Sequence, residues 1–267
     1  IIGIILLCFA LTACYDLNLS PLDASSDNNF WETESQLRGA TYVCYSIMQK
    51  DMLNFGEGCG ESAMWGDPKN ALNKISSGVY PYTIQFPVSS WWNYFYQNIF
   101  YCNKFLENYK KANISESVKE KYAAEIKVIR ALDYFYLTSL YGDVPLVTRV
   151  LSPEDPEMTA PRTPKQEVID YILNDLDQAA AKLGEDIPTG ENSGRVNKWT
   201  ALGLKSRIAL FNERWEIAYQ AAESVMKSGK YELYNEGGHS EAYYNLFTVA
   251  ANQTKGNINN KETMMAG

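Results

Sequence analysis

Apolar residues recur every three or four positions along residues 116–141, and this period constrains the fold more than any other feature of the chain. Residues with this spacing share one face of an α-helix, because the helix completes a turn in about 3.6 residues. Gly142 follows the pattern, and glycine commonly ends a helix. The predicted buried face consists of Val118, Tyr122, Ile126, Ile129, Leu132, Tyr136 and Leu140.

Similar patterns occur on both sides of this segment. Thr33 and Gln36 have the spacing of a capping box, and so do Thr163 and Gln166, with Pro164 at the first helical position. No run longer than a few residues alternates as a strand would, so we predict an all-α fold. The buried faces of the other predicted helices contain Leu37, Ala40, Cys44 and Ile47, then Trp92, Tyr96, Ile99, Asn103 and Leu106, then Val168, Ile172, Leu176, Ala179 and Leu183, then Ala201, Leu204, Ile208 and Phe211, and finally Trp215, Ala218, Ala222 and Val225.

The last two predicted helices, near 197–212 and 214–229, form a helical pair with small residues where the helices must approach closely. The pattern A-x-x-L-K-x-R-x-x-L followed by W-x-x-A-x-x-A is similar to a tetratricopeptide unit with a degenerate period. We therefore predict a tetratricopeptide-like helical-repeat scaffold. Two segments without helical period interrupt it. Residues 51–90 predict a long structured loop with a short helix inside it, and the proline-rich residues 142–162 predict an irregular connector.

The first fourteen residues, IIGIILLCFALTAC, are typical of a secretory signal that runs into a lipoprotein cleavage box. As a helix, residues 1–13 would span roughly 20 Å, which is too short for a bilayer core of about 30 Å. We predict a signal peptide over 1–13, lipidation at Cys14 and a polar tether over 14–29. The alternative is a buried N-terminal helix that happens to end in a cysteine.

Charge and composition exclude several classes of function. The net charge is −8, and the 24 lysines and arginines are scattered, which argues against nucleic acid as a partner. A single histidine and the absence of any C-x-x-C pair argue against a zinc site, and we predict no metal and no cofactor. Cys44 and Cys102 fall on predicted helical faces, so we interpret them as core residues.

Several segments together resemble the SusD/RagB family of nutrient-binding outer-membrane lipoproteins. The strongest match is RALDYFYLTSLYGDVPLV, residues 130–147, in which an aromatic and aliphatic helix passes into a Gly-Asp-Val-Pro turn. Supporting matches are Phe30-Trp31-x-Thr33, Trp92-x-x-x-Tyr96-x-x-Ile99-x-x-x-Asn103, Arg162-Thr163-Pro164 with Val168 and Asp175-Leu176-Asp177, and Ala201-x-x-x-Lys205-x-Arg207 through Trp215 to Gly229-x-Tyr231-x-Leu233.

The resemblance implies a non-catalytic, lipid-anchored protein on the outer membrane of a Bacteroidetes-type bacterium, facing the exterior. Such a protein would bind an oligosaccharide or another nutrient and pass it to a partner SusC-like TonB-dependent transporter. Family members are considerably longer than this chain. We therefore expect residues 30–267 to form the N-terminal portion of a SusD-like helical domain whose C-terminal part is missing.

Sugar binding requires flat aromatic platforms for the C–H faces of the ring and short polar side chains for the hydroxyls. Residues 51–91 contain both, and we predict ligand contacts from Glu61, Trp65, Asp67, Tyr80, Tyr82 and Trp91. The alternative interpretation is that Trp65 and Trp91 only pack this segment onto the helices.

Three polar residues outside this segment are predicted to be structural. Asp143 is expected to accept hydrogen bonds from backbone amides in the turn, as aspartate commonly does. Arg130 is expected to pair with a carboxylate or to cap carbonyl groups, and Asn103 to bind a buried backbone group.

Two other classes of function remain open. A glycoside hydrolase would need two carboxyl groups across a cleft, and none of the 32 acidic residues lies in a recognisable catalytic motif. A tetratricopeptide-like scaffold of the cell envelope would bind only proteins and no glycan.

Overall fold

The computed structural model describes residues 30–48, 65–79, 88–235, 237–247, 261–262 and 264. These residues contain no β-strand, and the pairing of Val144 with Thr163 is an isolated antiparallel bridge. The all-α prediction is therefore confirmed. The helices are α1 Glu34–Met48, α2 Ala71–Ser76, α3 Val88–Asn108, α4 Glu116–Tyr141, α5 Lys165–Ala180, α6 Lys198–Phe211, α7 Trp215–Lys227 and α8 Ala242–Phe247.

Helices α3 to α7 pack in the order of the chain, each against the next, as expected for a stack of helical repeats. Helix α1 packs on α3 and α4 at one end of this stack. Helix α4 lies at the centre because it contacts α1, α3 and α5, and it has buried residues on most of its faces. This order of packing confirms the tetratricopeptide-like scaffold.

Two local predictions at the helix starts have different outcomes. At α1 the backbone N–H of Gln36 donates to Thr33 Oγ1 at 3.3 Å, and that of Thr33 donates to Gln36 Oε1 at 2.9 Å, which confirms the capping box. The second predicted capping box is wrong. Helix α5 has Pro164 as its N-cap with no side-chain hydrogen bond at that position, and Gln166 instead accepts from Arg214 at 3.0 Å.

The predicted buried faces of α4 and α5 are confirmed except in the last turn of α4. Tyr122, Ile126, Ile129 and Leu132 are buried, whereas Leu140, in the last turn of α4, is 45% exposed. The prediction for the last helical pair is wrong at its aromatic positions. Phe211 is 58% exposed and Trp215 is 63% exposed.

Small residues set the contact between α6 and α7. Ala218 and Ala221 are the buried residues of α7, and Ser206 Oγ donates to the Ala218 carbonyl at 2.9 Å. A hydrogen bond from one helix to the backbone of the next requires a close approach, which a large side chain would prevent. Trp215 lies at the first position of α7, and there its ring remains in solvent.

Candidate functional site

The connector after α4 begins with a turn that depends on glycine. Gly142 has φ +70° and ψ −120°, a conformation that side chains disfavour, and its N–H donates to the Thr138 carbonyl at 3.2 Å. Val144 and Thr163 then exchange backbone hydrogen bonds of 3.2 and 3.0 Å. The turn therefore brings the two ends of the connector together beside the start of α5.

Asp143 supplies the N-terminal cap that α5 lacks locally. Its Oδ1 accepts from the Lys165 N–H at 2.8 Å, at the end of the helix where unpaired N–H groups favour a carboxylate. Asp143 does bind a backbone amide, as expected, but the amide belongs to α5 and not to the turn. Arg162 donates to the carbonyls of Tyr141 at 3.3 Å and Asp143 at 3.1 Å.

An aromatic group supports this turn from α3. The Trp92 ring lies 4.9 Å from Tyr96 and 5.1 Å from Tyr141, and the Arg162 guanidinium lies 5.3 Å from the Trp92 centroid. The Tyr96 hydroxyl donates to the Pro145 carbonyl at 2.8 Å. Because Arg162 and two rings already contact it, Trp92 is part of the support of the turn.

A buried polar group, which we call the Arg130 cluster, holds the next part of the connector. It consists of Asn103, Arg130, Tyr134 and Asp175. Arg130 pairs with Asp175 Oδ2 at 2.6 Å and donates to Asn103 Oδ1 at 2.8 Å. These contacts confirm that Arg130 pairs with a carboxylate.

The amide of Asn103 donates to the carbonyls of Val147 at 2.9 Å and Arg149 at 3.2 Å, which confirms its predicted role. The Tyr134 hydroxyl both donates to the Val147 carbonyl and accepts from the Val147 N–H, each at 2.8 Å. The cluster therefore supplies hydrogen-bond partners to backbone groups of an irregular segment, which lacks the regular backbone hydrogen bonds of a helix or a strand.

A second group, the Arg195 cluster, consists of Thr41, Tyr45, Glu125 and Arg195. Arg195 pairs with Glu125 Oε2 at 2.7 Å and donates to Thr41 Oγ1 at 2.9 Å. The Tyr45 hydroxyl donates to Glu125 Oε2 at 3.0 Å and accepts from the Val196 N–H at 3.0 Å. This cluster binds the segment before α6 to helices α1 and α4.

Tyrosine rings surround the Arg195 guanidinium. Its central carbon lies 5.5 Å from the Tyr42 centroid and 5.4 Å from those of Tyr45 and Tyr122. Each ring offers its negative face to the cation. The sequence pattern does not indicate this cluster, because Arg195 stands in an irregular segment, where no periodicity marks a residue as buried.

The structure describes some of the predicted ligand-binding residues. Cys14, Glu61, Tyr80 and Tyr82 lie outside the described residues, as do the predicted signal peptide and tether. Trp65 and Asp67 lie in the turn before α2, the short helix that the sequence predicts within 51–90. Trp65 is 44% exposed.

The polar groups of this turn bind its own backbone. Asp67 Oδ1 accepts from the Lys69 N–H at 2.9 Å, and Asn70 Oδ1 caps α2 by accepting from the Leu72 N–H at 2.8 Å. The Asn73 amide donates to the Trp65 carbonyl. The turn is thus ordered by its own hydrogen bonds, and the Trp65 ring is presented on it.

Trp91 has different surroundings. It lies on α3 and is half-buried, and it packs against the hydrophobic core. The turn before α2 therefore carries Trp65 and Asp67 together, whereas Trp91 belongs to the helical frame. That contact agrees with the alternative interpretation of Trp91, and its part in ligand binding stays a prediction.

Two described carboxyl groups have a raised pKa, and both are enclosed. Burial raises the pKa of Glu125, which is 1% exposed, and that of Asp133, which is fully buried. A glycosidase needs its proton donor at the scissile bond, in a cleft open to the sugar. Neither group meets this requirement, since both lie inside the helical stack.

Two further statements hold for the described residues only. These residues contain no group of three or more His, Cys, Asp or Glu side chains placed to hold a metal ion. Their helices include none with the length and apolar character needed to cross a bilayer.

Comparison with known proteins gives concordant results. Residues 22–210 match the SusD-like family model described as starch-binding associating with outer membrane. SusD-like protein P25 of Formosa agariphila is 25% identical over 250 residues, which cover 87% of this chain and 47% of that protein.

Solved structures agree in fold. A SusD-like protein from Bacteroides fragilis matches with a TM-score of 0.78 and 28% identity, over 92% of this chain and 47% of that one. A SusD-like carbohydrate-binding protein from the same species matches with a TM-score of 0.72 and 25% identity, over 88% and 46%. The chain thus spans about half the length of the relatives it matches. Because the family model covers most of the chain, this protein belongs to the SusD-like family.

Proposed function

We propose that this chain is a non-catalytic glycan-binding lipoprotein of the cell surface, which captures oligosaccharide and passes it to a partner SusC-like TonB-dependent transporter. The observation that carries the proposal is the match of residues 22–210 to a family described as starch-binding and associating with the outer membrane. The carbohydrate-binding relative from Bacteroides fragilis supports the same class of ligand.

Within the described residues, the turn before α2 is the part best suited to contact a sugar. An exposed indole offers a flat apolar face to the C–H groups of a pyranose ring. The turn around Trp65 is held by its own hydrogen bonds. The backbone that carries the ring is therefore ordered before the ligand arrives, which lowers the entropic cost of binding.

The enclosed positions of Glu125 and Asp133 keep these two carboxyl groups away from a sugar bound at the surface. Lipidation at Cys14 with the 14–29 segment as a tether would keep the helical stack next to a transporter in the same membrane. In this arrangement the lipidated cysteine, the tether and the helical stack each have a role.

A second candidate function, a protein-interaction scaffold, is favoured by one observation. Large apolar side chains are exposed on the α6–α7 pair, among them Phe211, Trp215, Tyr219 and Met226. Exposed apolar groups of this kind commonly mark protein contacts. In a scaffold that binds only proteins, these residues would matter and Trp65 would not.

Affinity electrophoresis of the full chain in gels that contain starch, a β-1,3-glucan or a mannan tests the proposal and separates the two functions. We expect retardation by at least one glycan and a roughly tenfold weaker affinity for Trp65→Ala, the usual size of a lost aromatic contact. Trp215→Ala is the matched control, because it removes an exposed tryptophan from α7, and it should migrate like the unmodified chain.

Absence of retardation by every glycan would contradict the proposed function and favour the scaffold. Retardation that is weakened equally by both substitutions would contradict the assignment of Trp65, since it would indicate a general loss of stability.

A further inference from the structure

Helix α6 contains a glycine in its interior, where glycine makes a helix less stable than alanine does. Gly203 is one of two glycines within the described helices, and the other is Gly39 of α1. A β-carbon added to Gly203 would lie 2.8 Å from Met264 Cε and 3.0 Å from its Sδ, whereas one added to Gly39 would meet no atom within 4 Å. Gly203 therefore leaves a notch in the surface of α6, and the Met264 side chain lies in it.

The backbone of Met264 is bound beside this notch as well. Thr200 lies three positions before Gly203, so the two residues share one face of α6. The Thr200 hydroxyl donates to the Met264 carbonyl at 3.0 Å, and it shares this proton with Asn197 Oδ1 at the same distance. Helix α6 thus contacts Met264 at two points, one on its side chain and one on its backbone.

The residues before Met264 join a second segment, the one that follows α7. The Glu232 N–H donates to the Lys261 carbonyl at 3.3 Å, and the Tyr234 N–H donates to Glu262 Oε2 at 3.0 Å. The Lys261 ammonium also pairs with the Glu232 carboxylate at 3.1 Å. These polar contacts lie at the surface, where water competes for the same groups, so each should add little to stability.

The segment that follows α7 is itself attached to the start of α6. The Tyr231 hydroxyl accepts from the side-chain amide of Asn197 at 3.0 Å, and Asn197 is the N-cap of α6. Positions 197, 200 and 203 all lie within the first two turns of this helix. The two segments therefore meet on the same end of α6.

We propose that the notch at Gly203 is a docking site for the Met264 side chain, and that this contact closes a clasp over the start of α6. The clasp consists of Lys261, Glu262 and Met264 together with residues 231–234. A methionine side chain suits a narrow notch because it is unbranched and flexible. Since the polar contacts of the clasp are exposed, the apolar contact in the notch decides whether the clasp stays closed. The proposal goes beyond glycan binding, and it would hold for either candidate function.

Peroxide oxidation of the full chain tests the proposal. Peroxide converts the sulfur of methionine to a sulfoxide, and a sulfur that lies in the notch is less accessible to it. We expect Met264 to react roughly threefold or more slowly than Met158 and Met226, which are 58% and 78% exposed. Tandem mass spectrometry of the tryptic peptide 262–267 separates Met264 from Met265.

A side chain placed in the notch should remove this protection. Gly203→Leu should raise the oxidation rate of Met264 to that of Met226, because leucine fills the notch and favours a helix. Gly39→Leu is the matched control, since it adds the same side chain to a helix at a position with open space, and it should leave Met264 protected. Gly203→Ala is a second variant that keeps the test valid if leucine disturbs α6. Its β-carbon should also displace Met264 and speed its oxidation by a smaller factor.

Amide hydrogen exchange provides a second readout. The N–H groups of Glu232 and Tyr234 should exchange roughly tenfold faster in Gly203→Leu than in Gly39→Leu, because an open clasp removes their acceptors. Equal oxidation rates of Met264 and Met226 in the unmodified chain would overturn the proposal. It would also be overturned if Met264 stayed protected in both Gly203 variants.

Discussion

The Arg130 and Arg195 clusters both use a buried arginine to hold an irregular segment, but the surroundings of the two arginines differ. Each arginine is nearly buried, pairs with one carboxylate at 2.6 or 2.7 Å and holds an irregular segment against the helices. Among the described residues, Arg130 has one aromatic ring beside it, that of Tyr171 at 5.4 Å, whereas Arg195 has three. A buried cation that depends on one carboxylate should be more sensitive to its loss than a cation surrounded by aromatic faces.

The largest expected effect comes from removing the carboxylate charges. Asp175→Asn should destabilise the protein by about 3–5 kcal/mol, because it leaves Arg130 as an uncompensated buried charge. Glu125→Gln should cost about 1–3 kcal/mol, since the tyrosine rings and Thr41 still contact Arg195. Urea unfolding of both variants measures the difference, and an equal or reversed order would show that the rings do not compensate.

The next largest loss of stability is expected when an uncharged hydrogen-bond partner of either arginine is replaced. Asn103→Leu should cost about 2–3 kcal/mol, because it leaves the Arg149 carbonyl without its donor and removes the Oδ1 atom that accepts from Arg130, whereas the Val147 carbonyl keeps the Tyr134 hydroxyl. Thr41→Val in the Arg195 cluster removes one hydroxyl of similar shape and should cost about 1 kcal/mol. Limited proteolysis should cut residues 142–164 faster in Asn103→Leu only, and equal rates in the two variants would contradict the role of Asn103 in holding the connector.

Unlike the carboxylates of the two clusters, Asp133 is a buried carboxyl group that no described arginine pairs with. Its Oδ2 accepts from the Asn98 amide at 2.9 Å, and neither Asp133 Oδ1 nor Asn98 Oδ1 has a hydrogen-bond partner among the described residues. Burial and the neighbouring Cys44 raise the pKa of Asp133 well above its ordinary value. The folded state therefore binds this proton more tightly than the unfolded state.

The stability that this proton provides is fully present below the ordinary aspartate pKa of about 3.9 and declines as the pH rises toward the folded value. Asp133→Asn removes the dependence. Relative to the unmodified chain, the variant should therefore become more stable as the pH rises from 4 to 8. Parallel stability curves over this range would contradict the raised pKa.

The smallest effect is expected at the surface, between the same two segments that the Arg195 cluster joins. Arg38 contacts Glu191 at 3.4 Å, and the Glu191 side chain is 87% exposed. Glu191→Gln should change the free energy of unfolding by less than about 0.5 kcal/mol, because water screens exposed pairs. A cost close to that of Glu125→Gln would show that burial does not set the difference.

Periodicity predicted the helices and the roles of Arg130 and Asn103, because these residues lie within regular helical patterns where a polar side chain on an apolar face needs a partner. The N-terminal cap of α5 could not be predicted in this way. Asp143 stands 22 positions before Lys165, and only the folded turn brings it to the helix end. Thr163 and Gln166 have the spacing of a capping box, but the folded helix does not form it.

The exposure of Trp215 was missed for a related reason. Its spacing from Ala218 places both on nearly the same face, but close contact with α6 selects the small residue and leaves the indole outside. Of the predicted ligand-binding residues, Trp65 and Asp67 fall in one turn, and sequence pattern gives no rule for such placement. Whether they contact a sugar stays a prediction.

The central proposal is that this SusD-like chain binds glycan without cleaving it. Titration calorimetry of the full chain with the glycan that retards it most, followed by size-exclusion chromatography and reducing-end analysis of the same mixture after a day, tests the claim directly. We predict saturable binding heat and a glycan of unchanged length. Shortened chains with new reducing ends would contradict the account, and so would the absence of any binding heat.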